Sequence, residues 1–404
     1  MKRVKVVAFT LALTFVLLAF TAQPVAAANR YESLRTYMNS SYDAVRGGYS
    51  NPNDGVTRID PTYGAITIMN EVGTLDNRPP PVALADVVEF ITTHQWSTGD
   101  EDEEPRFGGF SDYLLGPVTN IVNYHGLVAW QLLKAQSNVP GVADHDINAT
   151  AQLLWINKTV TDSGGYAESR DAIDDGAGPD LISTAYALAS IRIIDTMYQL
   201  ENAWDWLLNE TATVEWIESC YDGEAYKMTP DTHLPSVTAT AAAAIAYRAL
   251  DPLAAIPHSA TLNAWLQARQ ILENEDPEFV GGFEEGNGTE VPSLTSTYYA
   301  LTALEILATV STINVTAAES FLLNCQAENG SFANAPGFAA GTLVFSGYVC
   351  EIFGIAEFDG AQEILSGSLF PYSPGATGFE WRTYVIIGII VVAAVLAVLA
   401  VRAD

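Results

Sequence analysis

Asp60, His125, Asp180 and His233 are four ionisable side chains that stand close to a recurring small hydroxylated or amide residue. Carboxylates and imidazoles so grouped can ligate a metal, move a proton or orient a polar ligand. Tyr63, Asn123, Tyr124, Ser183, Ser236, Ser293, Thr295, Tyr298 and Phe345 fall at the same register and add hydroxyls, an amide and aromatic faces. Together they form the candidate ligand-binding set, with no catalytic residue assigned. The string Asp171-Ala172-Ile173-Asp174-Asp175 reads as a solvated acidic turn. Asp100 to Glu104 offers oxygen ligands without the spacing of a calcium loop. No Ser-His-Asp cluster, phosphate loop or HExxH helix is present.

The elements that must position these residues are legible as a repeat. Six times, two small residues and an aromatic precede a polar loop and an apolar run, as in Gly108-Gly109-Phe110 and Gly164-Gly165-Tyr166. The run opens at an anchor: Thr62, Asn123, Thr184, Thr240, Thr297 and Ser346, spaced by 61, 61, 56, 57 and 49 residues. Helical periodicity marks first helices such as 85–96 and 149–156, and second helices at 121–133, 182–194, 237–250, 294–307 and 343–353. The glycine pairs suit left-handed helix C-termini. Strand signals are nearly absent. Alanines after each anchor place the second helices in an inner layer. Six such hairpins form an open solenoid or a closed ring, and the lack of polar capping repeats favours closure.

A Gly-Gly-aromatic, a polar loop and then Thr-Tyr-x-Ala-Leu, as in Thr297-Tyr298-Tyr299-Ala300-Leu301, resembles the repeat of protein prenyltransferase β subunits and squalene or terpenoid cyclases. The resemblance covers about 31–358. It implies an all-α (α/α)6 toroid of six helical hairpins, with a central funnel open where the inner helices begin. It also implies zinc, held by an Asp four residues before one anchor, a Cys two before it, and a His one before the next. Those columns hold Ser293, Thr295 and Phe345 at the best-matching pair. Such residues are poor zinc ligands, so no cofactor is expected and zinc-dependent prenyl transfer is not. The cyclase acid motif DxDD is also missing. The expected role is therefore a small apolar ligand or envelope partner held by a toroid. The alternative is a divergent enzyme of the same class acting on a polyprenyl or other apolar substrate.

Bulk properties set the location. Lys2, Arg3 and Lys5, an apolar 6–20 stretch and Ala26-Ala27-Ala28 read as a signal peptide over 1–28. An ectodomain over 29–366 and a stalk over 367–382 follow. A transmembrane helix is expected over 383–402, where 384–401 carries no charge. The expectation is a single-pass cell-membrane protein with its ectodomain outside the cytoplasm. After removal of the leader, 15 basic residues face 48 acidic ones, a net charge of −33 that argues against nucleic acid as a partner. Glycosylation sequons begin at Asn39, Asn148, Asn157, Asn209, Asn287, Asn314 and Asn329, as befits a glycoprotein. Cys325 and Cys350 fall on the last two repeat helices, where a bridge is conceivable.

Overall fold

The structure, a computed structural model, describes residues 28–371 except 52–54, 76–81, 98–103, 137–138, 201–208 and 287. The predicted signal peptide up to 27 and the predicted membrane helix lie outside the described residues. Among the described residues, no helix is long and apolar enough to cross a membrane. Two compact units result: one spans Leu34–Ile364, and the other contains 28–33 and 365–371, where Asn29 pairs with Leu369 in an antiparallel bridge.

Outer and inner helices alternate. The outer ones are α1 (Arg30–Ser40), α3 (Leu84–Thr93), α5 (Ala149–Asn157), α8 (Glu210–Ser219), α10 (Ser259–Gln267) and α12 (Val315–Asn324). The inner ones are α2 (Ile59–Glu71), α4 (Asn120–Ala135), α7 (Leu181–Tyr198), α9 (Val237–Leu250), α11 (Leu294–Ile306) and α13 (Leu343–Phe353). A short α6 (Arg170–Asp174) lies in one connector, and α14 (Ala361–Gly367) follows the last hairpin. Each inner helix packs on the next, and α13 packs back on α2, so the six close into a ring. Closure depends on two glycines. A Cβ on Gly64 would collide with the Leu343 carbonyl, and one on Gly347 would come within 3.0 Å of the Gly64 Cα.

The anchors are buried polar groups with a defined task. Thr62 Oγ1 accepts the N–H of Tyr49 at 3.0 Å, Asn123 Oδ1 that of Phe110 at 3.1 Å, and Thr184 Oγ1 that of Tyr166 at 2.9 Å. Thr240, Thr297 and Ser346 do the same for Tyr226, Phe283 and Phe332 at 3.2, 3.0 and 3.0 Å. All six aromatics are fully buried, so their N–H groups need protein acceptors. Asn123, expected among the ligand-binding residues, is therefore a structural anchor. A second clasp joins neighbouring repeats: the first N–H of an inner helix donates to a carbonyl two residues beyond the next aromatic. Asn120 N–H reaches Glu168 O at 2.9 Å, and Leu181 N–H reaches Met228 O at 3.0 Å.

The glycine pairs are not helix C-caps. Gly108 and Gly164 have φ of +97° and +92° and press on the first turns of α5 and α8 at Ala151 and Ala212. They are inter-repeat contacts that exclude a side chain. Cys325 and Cys350 are free and buried, so the conceivable bridge is not formed. Asn148, Asn209 and Asn314 each accept the N–H three residues on, at 3.0 Å, as N-caps of α5, α8 and α12. Capping accounts for these three sequon asparagines without a glycan. Among the described residues, strands are limited to short connector pairings: β1 (Tyr42–Asp43), β2 (Gly48–Ser50) and β3 (Thr57–Arg58), then β4 (Phe283–Glu284) and β5 (Pro292–Ser293).

Candidate functional site

Large side chains one and two residues after the anchors meet inside the ring. The Tyr63 ring stacks on His125, centroids 4.1 Å apart and planes 6° apart, and Tyr298 stacks on Tyr348 at 3.9 Å. Tyr124 leans on Tyr186 at 4.7 Å, and the Tyr186 and Tyr299 hydroxyls are 2.7 Å apart. These residues come from five of the six inner helices. Their mutual contacts show that the helices begin at the same end. The layer fills the end at which the resemblance implied an open funnel.

Within the layer, His125 is 1% exposed, and its Nδ1 lies 2.8 Å from Oδ1 of the half-exposed Asp60. The contact joins the imidazole to the carboxyl in a single hydrogen bond. Nε2 is buried and has no hydrogen-bond partner among the described residues. On α13, Glu351 receives Tyr63 O–H on Oε1 at 2.8 Å and Tyr298 O–H on Oε2 at 2.9 Å. Among the described residues no lysine or arginine pairs with it. Burial pushes its carboxyl up to about 6, while the two tyrosine hydrogen bonds and His125 hold it down. Burial, with Glu351 nearby, raises the Tyr63 and Tyr298 phenols and keeps them neutral.

Beyond this layer the side chains shrink and a cavity opens. Five residues after the anchors stand Thr67, Val128, Ala189, Ile245, Thr302 and Glu351. Val128, Ala189, Ile245 and Thr302 wall a cavity of about 400 Å³ whose floor is Tyr124, Tyr186 and Tyr298. The cavity runs toward the end where the inner helices finish, bordered there by Gln131, Arg192 and Arg248. The arginines are helix caps: Arg192 donates to the Ala249 and Leu250 carbonyls at 2.8 Å, and Arg248 to the Ile306 carbonyl at 2.8 Å.

The candidate set therefore divides. Asp60, Tyr63, Tyr124, His125 and Tyr298 converge, and Phe345 lies at their edge, 6.4 Å from the Tyr348 ring. Asp180, Ser236 and Ser293 do not join them. They N-cap α7, α9 and α11, accepting N–H groups of Ser183, Ala239 and Ser296 at 2.8, 3.1 and 2.9 Å. Ser183 Oγ is spent on Asp180, and Thr295 Oγ1 on Asn334 at 2.7 Å. His233 is exposed in a connector bend. Glu351, Tyr186, Tyr299 and Tyr348 were not expected. Glu351 had a signal, as the one ionisable member of its column.

The zinc columns do not fit a metal. Ser293 and Thr295 hydroxyls are committed to a cap and a loop, and Phe345 has no donor atom. Among the described residues, no group of three or more His, Cys, Asp or Glu could hold a metal ion. Asp171 and Asp174 sit on exposed α6, with Asp174 paired to Arg170 at 2.9 Å, as a solvated acidic turn.

A family model described as the prenyltransferase alpha-alpha toroid domain matches residues 117–232 and 244–346. Among solved structures, protein geranylgeranyltransferase-I of Candida albicans, complexed with GGPP, is similar at a TM-score of 0.60 and 13% identity, covering 86% of this chain and 97% of that one. The type II terpene cyclase MstE from Scytonema is similar at 0.48 and 13%, covering 81% and 98%. No curated protein matches the sequence.

Proposed function

This chain belongs to the prenyltransferase alpha-alpha toroid family, and from that premise we propose that it binds a small, largely apolar ligand inside the ring. The observation that carries this reading is the cavity of about 400 Å³, apolar along its walls and floored by tyrosines. Its size lies in the range of sites that enclose small molecules. The sequence supports a location outside the cytoplasm on a membrane anchor, since 1–28 reads as a leader and 384–401 is an uncharged apolar run. The similar geranylgeranyltransferase, complexed with GGPP, supports an apolar chain as ligand.

The test is equilibrium binding of a radiolabelled long-chain prenol to the detergent-solubilised full chain. Ile245→Trp fills the wall without adding charge. We expect it to weaken binding at least about tenfold while the unfolding temperature stays near that of wild type. Equal affinity in a folded Ile245→Trp protein would sink the reading.

A second reading, a divergent enzyme, is favoured by Glu351. Burial raises its carboxyl to about 6, and Tyr298 links it to the cavity floor. A protonated carboxyl so placed can donate a proton to an apolar substrate. Glu351→Gln separates the readings: turnover of a polyprenyl substrate by wild type and its loss in a variant that still binds would establish the enzyme.

A further inference from the structure

We propose that the ligand of the cavity is an amphiphile with one negative charge, a carboxylate on an apolar chain, and that the carboxylate sits at Arg248, where the inner helices finish. The proposal rests on the apolar-ligand reading above and adds the headgroup and its orientation. The chain holds 48 acidic residues against 18 basic ones, yet the cavity is lined by Arg192 and Arg248 and by no Asp or Glu. A rim of helix C-termini is by itself negative, because the terminal carbonyls point out of it. The two guanidiniums reverse that sign. Arg192 covers the Ala249 and Leu250 carbonyls, and Arg248 covers those of Ile306 and Pro252. These bonds hold each guanidinium in place without neutralising it, since a carbonyl carries no net charge.

The charge balance selects a monoanion. Arg192 also meets Asp195 at 3.3 Å, so its charge is already shared. Arg248 is half-buried, and among the described residues no carboxylate pairs with it. One uncompensated cation matches a carboxylate, whereas a diphosphate would bring surplus negative charge to a chain of net charge −30. The planar guanidinium suits a carboxylate, and Gln131 at the same rim adds an amide donor. The opposite orientation is disfavoured. At the floor, Tyr298 O–H is committed to Glu351, so a ligand carboxylate placed there would face a second one. Six residues separate Tyr186 from Arg192 along α7, and seven separate Tyr124 from Gln131 along α4. The apolar chain therefore enters tail first to a depth of about 10 Å.

The experiment is equilibrium dialysis of the detergent-solubilised full chain at neutral pH, with the same detergent on both sides. Geranic acid, geraniol and geranyl diphosphate share one chain and differ in headgroup, and they are the probes. Wild type should bind the acid at least about tenfold more tightly than the alcohol or the diphosphate. Arg248→Gln should bring the acid to the alcohol's affinity and leave the alcohol within about twofold of wild type, while Arg248→Lys keeps the acid preferred. Equal affinity of wild type for acid and alcohol, or tighter binding of the diphosphate, overturns the proposal, and neither measurement needs a variant to fold. A preference for the acid that survives in folded Arg248→Gln overturns the seat at Arg248. Ile245→Trp scores the cavity separately. If it leaves the binding of acid and alcohol unchanged, the cavity itself is not the site. If it weakens both while wild type shows no preference between them, the headgroup falls and the apolar-ligand reading stands.

Discussion

Glu351 couples the tyrosine layer to pH. Its carboxyl holds its proton up to about pH 6 in the fold, against an ordinary value of 4.5, with burial as the chief cause. The folded chain thus binds more protons than the unfolded one between these values. The resulting stability is fully present below about pH 4.5 and is lost as pH rises through 6. Glu351→Gln removes this dependence. Relative to wild type it should gain about 1–2 kcal/mol at pH 7.5 over its value at pH 4.5, measured by urea unfolding at both pH values. An identical pH response of the two proteins would show that Glu351 does not titrate in this range. Residue types near the anchors were readable in the sequence, but the use of each was not. Asp180 and Ser293 are the same kinds of residue whether they line a site or cap a helix. Only the helix start, fixed by packing, decides that their oxygens face backbone N–H groups.

At the scale of elements, five of the six inner helices had expected ranges that fall within four residues of the observed ends, and 237–250 and 343–353 match α9 and α13. The alanine-rich periodicity and the hydroxylated caps carry that information locally. The glycine pairs were visible too, but their purpose depends on the neighbouring repeat: Gly108 is needed because α5 begins against it. Ring closure has the same character. Gly64 lies in the middle of a helix, where glycine is intrinsically unfavourable by about 1 kcal/mol relative to alanine. Close approach of α2 to Leu343 on α13 overrides that preference. Gly64→Ala should therefore destabilise the ring by about 1–3 kcal/mol despite its better helix propensity, read from the shift in chemical unfolding midpoint. A stabilised Gly64→Ala protein would mean that the first and last inner helices do not pack as described.

At the scale of the molecule, 48 acidic residues against 18 basic ones make charge repulsion a property of the whole chain. Most described ion pairs are partly exposed and contribute little. The pair Arg269–Glu284, with both side chains 8% exposed, is the buried exception. Screening should relieve the repulsion, so the thermal midpoint of the full chain is expected to rise from low salt to about 1 M sodium chloride. A midpoint that falls over that interval would argue that attractive pairs outweigh the net charge. The same scale holds the cavity inside the ring, whose lining comes from several inner helices and belongs to no single repeat.

The sequence by itself determined the repeat, the helical hairpins and the register of their anchors, because a short-range pattern of small, aromatic and apolar residues recurs with each unit. It also showed that the columns expected to bind zinc carry hydroxyls and an aromatic. Tertiary structure decided which of the chemically capable residues meet. Tyr63, His125 and Tyr298 are far apart in the chain and converge because parallel inner helices bring equivalent turns to one level, and Glu351, one turn further along α13, receives the Tyr63 and Tyr298 hydroxyls. It also placed the open volume beyond the tyrosine layer, where side chains five residues after the anchors are too small to fill the ring.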